Sequence, residues 1–171
     1  TGNGVNLIRA VDSLKKSRRK RGLRGGGISN YSTSFVLTVP RDIQQPSISD
    51  WEKILEIAYK VIAKETGFDK GTIEKHAYAV LHDESSSPAK ETHVHLLVSN
   101  VINNQYQKRV TQLAVTFAIK NALNLGVLLT VGEDNSSYVP KSKQKHRKPL
   151  RVARSEKFLK IKKKIAGSDS K

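Results

Sequence analysis

Cysteine is absent from this chain, so no disulfide braces it and no thiolate can bind a metal. Any metal site must be built from imidazole and carboxylate. Methionine is absent too, even at position 1, and this leads us to expect a processed or recombinant piece of a longer product. Aromatic residues are few, at 6%, so a base-stacking platform of several exposed rings is poorly supplied. Acidic residues are also scarce: fifteen Asp and Glu face thirty-one Lys and Arg, for a net charge of +16 and a pI near 10.1. That balance calls for a polyanionic partner, nucleic acid first and an anionic membrane second. We read no apolar run long enough to span a bilayer and no secretory signal at the start, so a soluble, cytoplasmic protein is expected.

A chain of 171 residues can bury one real core. Three regions are expected: an N-terminal helix with a basic, Gly-rich arm at 1–30, a folded core at 31–138 and a basic tail at 139–171. In the first, Leu7, Ile8, Val11 and Leu14 mark one helical face. The chain then runs into Lys15, Lys16, Arg18, Arg19, Lys20, Arg21 and Arg24 before three glycines, which predicts a mobile arm that orders on phosphate. In the tail, residues 141 to 164 hold twelve Lys or Arg and one acid, Glu156. Lys141, Lys143, Lys145, Arg147 and Lys148 are candidate phosphate contacts there, and a marginal basic helix from about Arg154 to Ile165 competes with disorder.

Within the core, Ser34 to Val39 reads as a strand stopped by Pro40. Ser49 with Glu52 forms a capping-box signature, and Trp51, Ile54, Leu55, Ala58 and Ile62 then repeat at helical spacing until Gly67. Two strands follow, His76 to His82 and His93 to Asn100, before Asn103 and Asn104 turn the chain. Val110, Leu113, Ala114, Phe117, Ala118, Ala122 and Leu125 mark a second amphipathic helix, and Gly126 to Val131 a last strand. The order predicts an α+β fold: a ferredoxin-like, split β-α-β antiparallel sheet with two helices on one face.

The histidines concentrate in the middle of this pattern. His93 and His95 alternate with Val94, Leu96 and Val98, so both imidazoles project from one face. If the two strands pair antiparallel, His82 faces them and completes a three-imidazole cluster with open coordination positions. His76 begins its strand away from the cluster, and His146 lies in the basic tail. A divalent ion at such a cluster, within a basic periphery, suits phosphodiester cleavage or transfer.

The run Ala79-Val80-Leu81-His82-Asp83-Glu84, then Pro88, then His93-Val94-His95-Leu96-Leu97-Val98-Ser99-Asn100, resembles the third motif of relaxases, the conjugative and mobilisation nickases of the HUH endonuclease superfamily. The resemblance covers residues 34 to 131 and includes the expected element order. It implies metal-dependent nicking and rejoining of single-stranded origin-of-transfer DNA in a bacterial cytoplasm, together with accessory relaxosome proteins. It implies that His82, His93 and His95 hold Mg²⁺ or Mn²⁺, and that Asp83 or Glu84 orients an imidazole. Asn100 points away from His93 and His95 by strand parity and is read as securing the strand end.

A tyrosine nucleophile on the N-terminal helix is implied as well, and the helix has none. Ala10 or Val11 occupies its approximate place. Tyr31, just before the first strand, is the best substitute; Tyr59 reads as packing, Tyr78 shares the face of His82 and could stack a base, and Tyr106 sits in a turn. Two alternatives remain. A rolling-circle replication initiator of the same superfamily carries Tyr-x-x-Lys on a later helix, where this chain has Phe117 and Lys120, with Phe117 read as core. A non-catalytic RNA- or single-stranded-DNA-binding module is the other.

Overall fold

The computed structural model describes residues 4–23, 28, 30–84, 86 and 91–136. Strands β1 (Ser32–Thr38), β2 (Ala77–His82) and β3 (His93–Ser99) form an antiparallel sheet in the order β1-β3-β2. Alternation along them sends Phe35, Leu37, Ala77, Ala79, Val94, Leu96 and Val98 into the core on one face. Over that face pack two long helices, α2 (Ile48–Thr66) and α4 (Leu113–Thr130). A short helix, α3 (Lys70–Lys75), leads from α2 into β2. The chain is therefore a mixed α+β protein with a small antiparallel sheet and several helices.

Helix α2 has clear start and stop signals. Its N-cap is Ser47, two residues before the expected Ser49: the Ser47 hydroxyl accepts from the Asp50 amide, and the Asp50 carboxylate accepts from the Ser47 amide. Asp50 thus takes the place expected for Glu52, because Pro46 holds the residue before it extended and the helix opens directly afterwards. At the other end Gly67 adopts φ +81° and donates its amide to Ala63 O. The side chains spaced for burial, Trp51, Ile54, Leu55, Ala58 and Ile62, are buried, as is Tyr59.

The second long helix departs from expectation. Residues 126–130 continue α4 rather than forming a last strand, and no fourth strand joins the sheet among the described residues. A short apolar run does not distinguish strand from buried helix by periodicity. The buried face also differs: Val115, Ile119, Ala122, Leu123, Gly126 and Val127 are inside, whereas Leu113, Phe117 and Leu125 are exposed. Phe117 is therefore not core. Because α4 is apolar nearly all round, its pattern gave no phase. Taken whole it is an 18-residue helix long and apolar enough to cross a membrane by length and composition, a run hidden by dividing it in two; one face is packed on α2.

The N-terminal segment is also more ordered than expected. Helix α1 spans Gly4–Lys20, so Lys15 to Lys20 are helical rather than part of a mobile arm. Lys and Arg are good helix formers, and cations are favoured at a helix C-terminus. Gly22, at φ +66°, closes the helix by donating to Arg19 O while Leu23 donates to Arg18 O. Leu7, Val11 and Leu14 are buried and Ile8 is not. Val11 and Leu14 meet Val101, with Ala10, Ile28 and Tyr31 around them, in a second small core. Val101 belongs to a hairpin of β4 (Val101–Ile102) and β5 (Gln105–Tyr106), turned by Asn103 and Asn104 at φ +50° and +58°. Arg24, His146 and the expected basic tail lie outside the described residues.

Gly126 is required by close approach rather than by a turn. A Cβ there would stand 2.8 Å from Ile54 Cγ1 and 3.3 Å from Ile54 Cα. Gly126→Ala, normally a gain of about 1 kcal/mol in a helix, is expected instead to destabilise by about 1–3 kcal/mol. Urea unfolding measures this; a raised midpoint would show that the two helices are not in this contact.

Candidate metal centre

Register builds the centre. β2 and β3 pair His82 with His93 and Val80 with His95, while β1 sets Thr38 opposite His93 and Val36 opposite His95. All six side chains lie on the face away from α2 and α4, as the antiparallel pairing expected from sequence requires. The imidazoles form a nearly equilateral triangle, with ring centroids 5.0 Å apart for His82 and His93, 4.9 Å for His82 and His95, and 5.0 Å for His93 and His95.

The spacing can be compared with that of a metal site. At a nitrogen-to-metal distance of about 2.1 Å, imidazole centroids lie roughly 4.6 Å apart for donors at right angles and roughly 5.3 Å apart at tetrahedral angles. The observed triangle falls between the two. As the side chains stand, however, no set of three His, Cys, Asp or Glu among the described residues is arranged to hold a metal ion. Strand register fixes which positions face one another, whereas each nitrogen's direction depends on the soft χ2 torsion of histidine, so convergence of the donors requires the rings to rotate.

One ring is already oriented. His93 Nδ1 lies 2.7 Å from the carbonyl oxygen of Glu91, which can only accept, so Nδ1 carries the proton and Nε2 keeps its lone pair outward. Sequence reasoning assigned the orienting of one imidazole to Asp83 or Glu84; at His93 it is the Glu91 carbonyl that does this, while the Glu84 amide donates to Thr92 Oγ1 and its carbonyl accepts from Arg41. A backbone acceptor has no side-chain signature, so no motif could have pointed to Glu91. His76 is separate from the centre: it ends α3, with its Nδ1 2.9 Å from Thr72 O.

The candidate nucleophiles lie elsewhere. Tyr31 precedes β1 next to Asn100, whose amide donates to its carbonyl. From there to His95 is five residues along β3 and to His93 seven, or roughly 17 and 23 Å. Its hydroxyl accepts from Lys15 Nζ at 2.8 Å and donates to Asp12 at 3.2 Å, and the same ammonium sits 4.3 Å from the ring centroid. Tyr31 is thus tied to α1 at the far end of the sheet. Ala10 and Val11 pack in the same second core and do not approach the imidazoles. Tyr78 is the tyrosine that register places nearest: it pairs with Leu97 and is the diagonal neighbour of His95, roughly 7–8 Å away between Cα atoms. Its ring lies against Gly4 at the start of α1.

Asn100 acts as expected. Buried, it accepts from Thr33 Oγ1 at 2.6 Å and donates to Asn30 O at 3.2 Å, fastening the end of β3 to the β1 side. Of the basic candidates, Lys16, Arg19, Lys20 and Arg21 are exposed on α1 and just beyond it, while Lys15 and Arg18 are half-buried. Comparison of the chain with protein-family models, with curated proteins and with solved structures finds no match.

The pKa of His95 is lowered from the ordinary histidine value, first by burial and then by the like charges of His93 and His82. The unfolded chain therefore takes up this proton at a higher pH than the folded one. The associated stability is complete above the unfolded value, near 6.5, and is lost as pH falls through the folded value. The metal-free protein is expected to lose stability as pH falls below about 6.5, above the range in which carboxylates titrate. His95→Gln should flatten this fall in thermal melts; an equally steep fall in the variant would remove His95 as its source.

Proposed function

We propose that this chain is the catalytic core of a DNA relaxase, which nicks and rejoins one strand of origin-of-transfer DNA in plasmid mobilisation or conjugation. The observation that carries this reading is the triangle of imidazoles on the face of the sheet that α2 and α4 leave open. His82, His93 and His95 would hold a divalent ion, Mg²⁺ or Mn²⁺, which when bound polarises the scissile phosphate and offsets the charge that builds on it. Glu91 keeps the His93 lone pair available. The cations of α1 hold the nucleic-acid backbone through charge. The order β1-β3-β2, with α2 linking β1 to β2 by way of α3, supports a ferredoxin-like sheet of three strands, α4 taking the place of the second helix.

Tyr78 is the nucleophile that fits this geometry. Its hydroxyl oxygen forms a bond to phosphorus as the bond from phosphorus to the 3′ oxygen breaks, and the phenolic proton is balanced by that of the released 3′ hydroxyl. Rejoining is the reverse, with one phosphodiester exchanged for another. The replication-initiator alternative is disfavoured, because α4 lies in the layer opposite the imidazoles and Phe117 and Lys120 go with it. A non-catalytic binder is favoured by one observation, the remoteness of Tyr31. Against it, Tyr78 is the only Phe, Tyr or Trp that strand parity puts on the open face of these three strands, where RNA-recognition sheets stack two or three bases.

Incubation of the chain with a panel of labelled single-stranded oligonucleotides, with Mn²⁺ or chelator, tests the reading. Metal-dependent cleavage is expected, with a covalent adduct mapping by mass spectrometry to Tyr78. His93→Ala and His95→Ala should each slow cleavage by about 100-fold or more. Most affinity should remain, with a log-log salt slope of roughly −0.7 per phosphate neutralised. Cleavage that survives both histidine changes would remove the metal centre from the mechanism. Tight binding without an adduct in any metal would leave the binding module.

A further inference from the structure

Helix α4 has two apolar faces, and only one is packed within the described chain. On the face turned from α2, Leu113 is 74% exposed, Phe117 64%, Leu125 49%, Leu128 50% and Leu129 67%. Between them stand Ala114, Ala118, Asn121 and Asn124, and the one charged residue of the helix, exposed Lys120, stands at the edge of this face beside Leu113 and Phe117 in a chain whose net charge is +16. The five large side chains leave roughly 600 Å² of apolar surface in water, the upper end of what monomeric proteins expose in one patch. Two such faces brought together remove roughly 1,200 Å², the area at which specific, stable interfaces begin.

The order of the residues selects the occupant. Leu113, Phe117, Asn121, Leu125 and Leu129 recur every four positions, and their order in kind, two large apolar residues on either side of an amide, is symmetric about Asn121 although Phe117 mirrors a leucine. They form one i±4 ridge, the kind that interdigitates in the commonest class of helix packing. In an antiparallel pair of identical helices Leu113 meets Leu129 of the second copy and Phe117 meets Leu125. Asn121 meets its own counterpart, and an amide both donates and accepts. A two-fold interface demands such a self-complementary patch, since each residue must suit its symmetry mate. An unrelated partner places no such demand. We propose that α4 is a homodimerisation helix, packing antiparallel against α4 of a second copy of this chain about a two-fold axis at Asn121.

The face opposite the imidazole layer is used, so the dimer leaves both candidate centres open and is independent of the functional reading. The test uses the full chain at about 0.5 M salt, which screens repulsion between the two basic copies. Sedimentation over roughly 1–100 μM should show a concentration-dependent dimer, and Phe117→Glu should weaken it by about 30-fold or more with circular dichroism unchanged. Because the chain has no native cysteine, single cysteines report geometry directly. Asn121→Cys should form a disulfide dimer, Leu113→Cys alone should not, and a mixture of Leu113→Cys with Leu129→Cys should. Monomers throughout that range overturn the proposal, as does a dimer indifferent to Phe117→Glu. Self-linking of Leu113→Cys overturns the antiparallel axis. Monomers that bind phosphatidylcholine vesicles, and lose this with Phe117→Glu, assign the face to lipid instead.

Discussion

Strand β3 is paired along both edges, and that double pairing is the constraint on which the rest of the molecule depends. Its even-numbered residues Val94, Leu96 and Val98 enter the core beneath α2 and α4, so His93, His95 and Leu97 must face the other way. A slip of one residue would bury the imidazoles and expose the valines, a change no rotamer could repair. The register is held at the end remote from the histidines. Asn100 bonds Thr33 and Asn30 on the β1 side, and the Ser99 amide donates to His76 O on the β2 side. Each of these three bonds involves a buried residue, Asn100 or Ser99, where loss of a hydrogen bond is most costly. The spacing of three imidazoles at one end of the sheet is therefore set partly by polar contacts at the other.

What could be read from the sequence follows from where its patterns were unambiguous. Period-two alternation around His93 and His95 admits only a strand, and with an antiparallel partner it placed His82 correctly on the same face. Helix α2 was readable because five spaced apolar residues agree with a capping signature before and a glycine after; only its cap was two residues out, Asp50 serving as well as a glutamate. Helix α4 was not readable in phase. A helix apolar on two sides has no single stripe, and Gly126, which the sequence alone presents as a breaker, is a contact point with Ile54. The basic run after Leu14 had two physical readings, repulsive coil or helical end, and the closing bonds at Gly22 show which one is realised.

Tyr31 illustrates a different limit. Its nearness in sequence to β1 suggested nearness to the site, but the antiparallel register puts the start of β1 beside the end of β3. Distance from a site on a sheet depends on which end of the strand a residue adjoins, and that becomes visible only once the pairing is known. The same register brings forward Tyr78, which sequence spacing alone left as a residue able to line the site.

The placement of α1 also constrains how a polyanion could use both features of this face. Gly4 lies on Tyr78, whereas Val11, Leu14 and Lys15 lie near Val101 and Tyr31, so the helix runs away from the imidazoles toward the far end of the sheet. Its cations accumulate toward that far end, in the last turn at Arg18, Arg19 and Lys20. On the proposed reading, a single strand of nucleic acid held by those cations must pass Leu97 and Tyr78 before reaching His82, His93 and His95. The phosphate at the imidazoles is then selected by its separation from a fixed electrostatic anchor. Affinity and the point of cleavage are assigned to opposite ends of one surface, and Tyr78 stands on the path between them.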